Sequence, residues 1–218
     1  MHFHVITLFP KSIDTYVHES ILGRAVKDKK ITVGFYNPRD FTKDKHKRID
    51  RRPYGGGPGM VLEALPIIKA IQKAVGRKKK KKILFFSPSG RQFDSSYAKA
   101  LAQKYTDIVL VSGHYEGVDM RVSKVIPAEA ISIGPYVLTG GETAAMVVID
   151  TVSRFIPTVL GNAFSLEESR ISSSEVYTRP EVFTYGKKKY RVPKVLLSGD
   201  HRKIEAWKKR KSKDSPKR

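Results

Sequence analysis

Apolar residues along this chain alternate between two spacings, and the alternation predicts strands and helices in turn. Residues 3 to 9 begin a β segment. Ser12 is placed to cap a helix in which Ile13, Tyr16, Val17 and Ile21 share one face. Ile31 to Tyr36 reads as a second strand, Glu63 to Val75 as a helix, and Ile83 to Phe86 as a buried strand. Tyr97, Ala98, Leu101 and Ala102 fit a helix, and Asp107 to Ser112 a strand with an apolar centre. Ala130 to Ile133 supplies a short strand, and Glu142 to Phe155 an apolar helix that Pro157 ends. Strands alternating with helices place the chain in the α/β class.

Beyond this pattern, residues 161 to 176 are polar and serine-rich, which predicts a linker between a body at 1–160 and a smaller one at 177–218. The smaller body holds a turn-rich segment, a strand-like run at Pro193 to Leu197 and a basic helix from about Asp200, with Lys208 to Arg218 expected to fray. A chain of 218 residues, 40% hydrophobic, can fill a large core and a lesser one.

Charge and residue usage narrow the function classes. The chain has no cysteine, which removes disulfides and thiolate metal sites. No apolar run is long enough to cross a bilayer, and Met1 to Pro10 lacks the basic start and cleavage site of a signal peptide, so a cytoplasmic protein without stable membrane association is expected. The 42 Lys and Arg against 21 Asp and Glu give a formal charge of +21, which suits a polyanionic partner, nucleic acid first. Arg77 to Lys82 reads as a solvated turn. His201 to Arg218 carries a formal +7, suited to phosphates.

Two glycine-rich turns follow apolar strands, one at Gly113 to Gly117 and one within Ser132 to Glu142. Glycine lets the backbone approach a ligand closely, and loops at the C-terminal edges of parallel strands commonly form sites. The dinucleotide pattern G-x-G-x-x-G with a downstream acid is absent. Gly55 to Gly59 lacks the G-K-[ST] ending of a phosphate loop, and Pro58 removes a donor; a tight mobile loop is an equal reading.

The wording and order of the motifs carry more. Thr7-Leu-Phe-Pro10, Pro53-Tyr-Gly-Gly-Gly-Pro-Gly-Met60, Gly113-His-Tyr-Glu-Gly117, Tyr136-Val-Leu-Thr-Gly-Gly-Glu142, Tyr177-Thr-Arg-Pro180 and Leu196-Leu-Ser-Gly199 run through nearly the whole chain. In them the chain resembles the bacterial tRNA (guanine-N1)-methyltransferases of the SPOUT superfamily. The resemblance implies a trefoil-knotted α/β domain with a mostly parallel sheet and a small, mainly helical C-terminal domain that binds tRNA. It implies S-adenosylmethionine as methyl donor, with magnesium assisting but no protein metal site, and N1 of guanine 37 of tRNA, beside guanine 36, as acceptor. It also implies a homodimer with its active sites at the subunit interface.

Carried onto this sequence, the cofactor is expected among Ser87, Pro88, Gly113, Tyr115, Glu116, Gly117, Ile133, Gly134, Tyr136, Leu138, Gly140 and Gly141. Glu116 is expected to face the sulfonium, Arg154 to stabilise charge on the guanine, and Glu168 to act as base, with Glu167 its close rival. Pro135 and Arg51 depart from the family pattern, in the cofactor loop and near the substrate entrance, and the segment before Tyr177 is shortened. A related knotted methyltransferase with another RNA target and a noncatalytic RNA-binding protein remain as alternatives.

Overall fold

The computed structural model describes residues 1 to 161 and 175 to 213, and the chain divides into two compact units, Met1–Gly161 and Asn162–Arg218. The first runs β1 (His2–Ile6), α1 (Pro10–Val17), α2 (Ser20–Lys27), β2 (Thr32–Tyr36), a 3-10 turn (Pro38–Phe41), β3 (Asp50–Arg51), β4 (Val61–Leu62), α3 (Ala64–Val75), β5 (Lys81–Gln92), α4 (Ser95–Lys104), β6 (Asp107–Val111), α5 (Arg121–Val125), β7 (Glu129–Ser132) and α6 (Glu142–Arg154). Five strands form one sheet in the order β2-β1-β6-β5-β7, and every neighbouring pair is parallel.

Helices cover both faces, as a parallel sheet requires. The central strand β6, Asp-Ile-Val-Leu-Val, is buried at every position, and alternation sends its side chains into two cores. Ile108 and Leu110 join Phe3, Val5 and Leu84 beneath α1, α2, α4 and α6. Val109 and Val111 join Ile6, Ile67 and Ile71 on the side of α3 and α5.

Several sequence expectations are corrected. Helix α1 starts at Pro10, not at a Ser12 cap. Proline suits the first helical position because the N–H it lacks would have no partner there, and Ser12 Oγ donates instead to Phe9 O at 2.7 Å. The chain then turns at Ser20, φ 52°, so Ile21 belongs to α2 and is 39% exposed. Leu22 and Ala25 fill the core in its place. The lysine run is only partly a turn: β5 begins at Lys81, and Lys82 Nζ pairs with Glu129 Oε2 at 2.5 Å. Strand β5 also continues to Gln92, with a register shift against β7 between Phe86 and Arg91.

The second unit contains β8 (Val182–Tyr185) and β9 (Lys188–Arg191), an antiparallel hairpin that the sequence reading treated only as turn-rich. Pro193 to Leu197 is no strand: α7 (Lys194–Leu197) is a single helical turn after Pro193. Helix α8 (His201–Lys213) starts where Asp200 Oδ1 accepts from Lys203 N at 3.2 Å and extends into the run expected to fray. Among the described residues no helix is long and apolar enough to cross a membrane.

Candidate active site

Strands β6, β5 and β7 are adjacent, so the chain at their C-terminal ends is gathered at one edge of the sheet. Three segments meet there: residues 87 to 90 inside the register shift of β5, residues 112 to 120 after β6, and residues 133 to 141 after β7. The second and third cross in contact. Gly141 N donates to Gly113 O at 2.8 Å, and His114 pairs with Gly140 in an antiparallel bridge. A Cβ on Gly141 would lie 2.6 Å from Ser112 Cα, so this crossing excludes any other residue. Ser132 Oγ turns the third segment by donating to Gly134 O at 2.9 Å and accepting from Gly134 N at 3.2 Å.

The three segments wall a cavity of about 210 Å³, and all twelve residues named for cofactor binding line it. Phe86, Ile131, Ile133, Leu138 and Ala144 make it largely apolar. Tyr136 donates its hydroxyl to Ile133 O at 3.2 Å. Pro135 is exposed and does not line the cavity. Arg51 is likewise engaged elsewhere, its Nε 2.6 Å from Glu63 Oε1.

Glu116 stands where the cavity meets the glycine loop at residues 55 to 59. Its N donates to Met60 O at 3.0 Å, and Leu62 N donates to Gly117 O at 3.0 Å. A Cβ on Gly59, at φ +82°, would overlap the Glu116 carboxylate. The glycine loop thus packs on the cavity carboxylate and leaves no room there for a side chain.

Below the crossing lies a polar group that sequence reasoning missed. Glu142, 9% exposed at the start of α6, accepts from Thr7 Oγ1 at 2.7 Å, and its Oε2 lies 3.7 Å from His114 Nδ1. The His114 ring packs 5.0 Å from Phe9 and 4.9 Å from Tyr115. Its Nδ1 and the nearby Ser112 Oγ are buried without a hydrogen-bond partner. Thr7, His114 and Glu142 all sit inside quoted motifs; only the fold joins them.

Arg154 ends α6 and is not among the residues lining the cavity. Glu167 and Glu168 lie outside the described residues. Among the described residues no three His, Asp or Glu side chains are grouped so as to hold a metal ion.

The chain is 48% identical over 218 residues to a tRNA (guanine-N(1)-)-methyltransferase of Caldanaerobacter subterraneus subsp. tengcongensis, covering 97% of this chain and 87% of that protein. It is 47% identical over 214 residues to the protein of that name from Nitrosococcus oceani, covering 95% and 82%. With its namesake from Clostridioides difficile it shares 42% over 218 residues, covering 97% and 92%. The profile of the family described as tRNA (Guanine-1)-methyltransferase TrmD matches residues 1–218, and the chain belongs to that family.

Proposed function

We propose that this protein transfers a methyl group from S-adenosylmethionine to N1 of guanine 37 in tRNA, beside guanine 36. The observation that carries the reading is the convergence of three loops on one apolar cavity with Glu116 at its edge, in a chain matched end to end by the family. The residues suit the donor. Glycines at 134, 140 and 141 let the third segment pack closely on its neighbours, while Ile133, Tyr136 and Leu138 offer apolar walls.

When bound, S-adenosylmethionine supplies a methyl group on a sulfonium centre. Glu116, which lines the cavity, would place a negative charge near that centre. Guanine N1 carries a proton and is a poor nucleophile, so a base must act in concert. Glu168 would remove that proton so that N1 can take the methyl group, with Glu167 the rival for that role. Arg154 donates to the guanine and offsets the negative charge left as N1 is deprotonated.

The same reading includes a trefoil knot in the first unit, a homodimer whose sites draw Arg154 and the base from different subunits, and a second unit that grips tRNA phosphates. It also includes assistance from magnesium and a cytoplasmic setting. A chain with formal charge +21 suits the RNA partner.

The test is methyl incorporation from S-adenosylmethionine into tRNA transcripts carrying guanine or adenine at position 37, with nucleoside analysis. Guanine-dependent 1-methylguanosine is expected. A methylated product at another atom or position would favour a related RNA methyltransferase, and tRNA binding without turnover would favour a noncatalytic binder.

A further inference from the structure

The β8–β9 hairpin has a composition that packing does not explain. Its cross-strand pairs are Val182 with Arg191, Phe183 with Tyr190, Thr184 with Lys189, and Tyr185 with Lys188. Successive strand residues point to opposite faces, so Phe183, Tyr190, Tyr185 and Lys188 share one face. Phe183 and Tyr190 stack with ring centroids 5.2 Å apart and planes at 15°. Yet the rings remain open, with Phe183 54%, Tyr190 47% and Tyr185 77% exposed. Between Val182 and Arg191 there are four cations and no acid, and all four are exposed.

Open aromatic rings beside unopposed cations are the two elements of a single-stranded nucleic-acid platform: bases stack on the rings and phosphates meet the charges. A water-exposed aromatic row has little else to recommend it on a two-stranded sheet. An anionic, ring-bearing partner matches both features, whereas an acidic peptide would match only the charges. We propose that the aromatic face of the hairpin is an RNA contact surface, stacking an unpaired nucleobase on Tyr185 and its ring neighbours while Lys188 on the same face and Lys187 in the adjoining turn neutralise adjacent phosphates. This rests on the reading of tRNA as substrate and extends it to a surface distinct from the basic helix α8.

The experiment measures the affinity of the full chain for a tRNA transcript as a function of salt, with S-adenosylmethionine affinity measured separately. Tyr185→Ala is expected to weaken tRNA binding about tenfold with the salt slope kept, and Tyr185→Phe to restore it, because any π-face serves. Replacing Lys187 and Lys188 together with alanine is expected to lower the slope of log affinity against log salt by about 1 to 2. Cofactor affinity should not change in any variant, which reports that the first unit is intact, and the Tyr185→Phe variant, with a parental circular dichroism spectrum, reports that the second unit is folded. Tyr185→Ala within about twofold of the parent, with an unchanged slope in the lysine variant, overturns the proposal and points to a protein occupant for this face. If the parent ignores tRNA but binds a single-stranded oligoribonucleotide through Tyr185, the tRNA reading fails and the hairpin proposal stands. If tRNA is methylated and the hairpin variants bind it normally, the hairpin proposal alone fails.

Discussion

The carboxylate of Glu116 has no free space on the side of Gly59, because that glycine presents its backbone directly to it at φ +82°. An alanine there suffers twice: its Cβ disfavours the positive φ, at about 1 kcal/mol or more, and it displaces the carboxylate. Since a small misplacement in a site is costly to catalysis, Gly59→Ala is expected to lower kcat/KM at least about tenfold with a modest drop in melting temperature. Initial rates and melting curves on one preparation decide this. Normal rates would show that the position of Glu116 does not matter. The two glycine turns that wall the cavity were legible in the sequence because they follow apolar strands, a local signal, whereas Ser87 and Pro88 lie in neither turn and came only with the family resemblance. Glu142, Thr7 and His114 were not, because the Thr7–Glu142 hydrogen bond spans 135 residues of chain and nothing local marks it.

At the scale of elements, a buried polar string ties three neighbouring strands together. His4 Nδ1 on β1 lies 3.2 Å from the Tyr36 hydroxyl on β2, and His4 Nε2 lies 2.9 Å from Asp107 Oδ1 on β6. Asp107 Oδ2 in turn accepts from Thr106 Oγ1 at 2.8 Å. Burial, aided by the nearby Lys78 and His2, outweighs the attraction of Asp107 and holds His4 below its ordinary 6.5. The folded chain therefore favours a neutral imidazole that accepts from Tyr36 and donates to Asp107. Below pH 6.5 the unfolded chain takes up this proton first, so the stabilisation present above 6.5 is lost as pH falls through the lower folded-state value. Denaturant titrations between about pH 7.5 and pH 5.5 should show stability falling with pH, and more shallowly in His4→Gln, whose amide donates to Asp107 but does not titrate. Equal slopes would remove His4 from the account. The strands of this sheet were readable because apolar runs such as Ile108 to Val111 need no tertiary context. The break between α1 and α2 was not, since Ile21 keeps the helical spacing of Ile13 and Val17 and only the turn at Ser20 takes it off their face. Val195, Leu196 and Leu197 likewise read as a strand because a three-residue apolar run carries no period that separates strand from a single helical turn.

At the scale of the whole molecule, the proposed dimer, with Arg154 and the base drawn from different subunits, can be tested by mixing subunits. If Arg154 serves a guanine whose proton is removed by Glu168 of the opposite subunit, Arg154→Ala and Glu168→Ala homodimers are each inactive. A heterodimer of the two holds one site with both changes and one with neither. Random mixing of equal amounts makes half the dimers hybrid, so co-expression should recover about a quarter of the parental rate, and isolated hybrids about half. Both variants should retain S-adenosylmethionine affinity, which separates loss of chemistry from loss of fold. Persistent inactivity of purified hybrids would place Arg154 and the base in the same chain. Activity surviving in Glu168→Ala alone would move the base to Glu167, and the same mixing with Glu167→Ala would then be the measurement that tests the shared site.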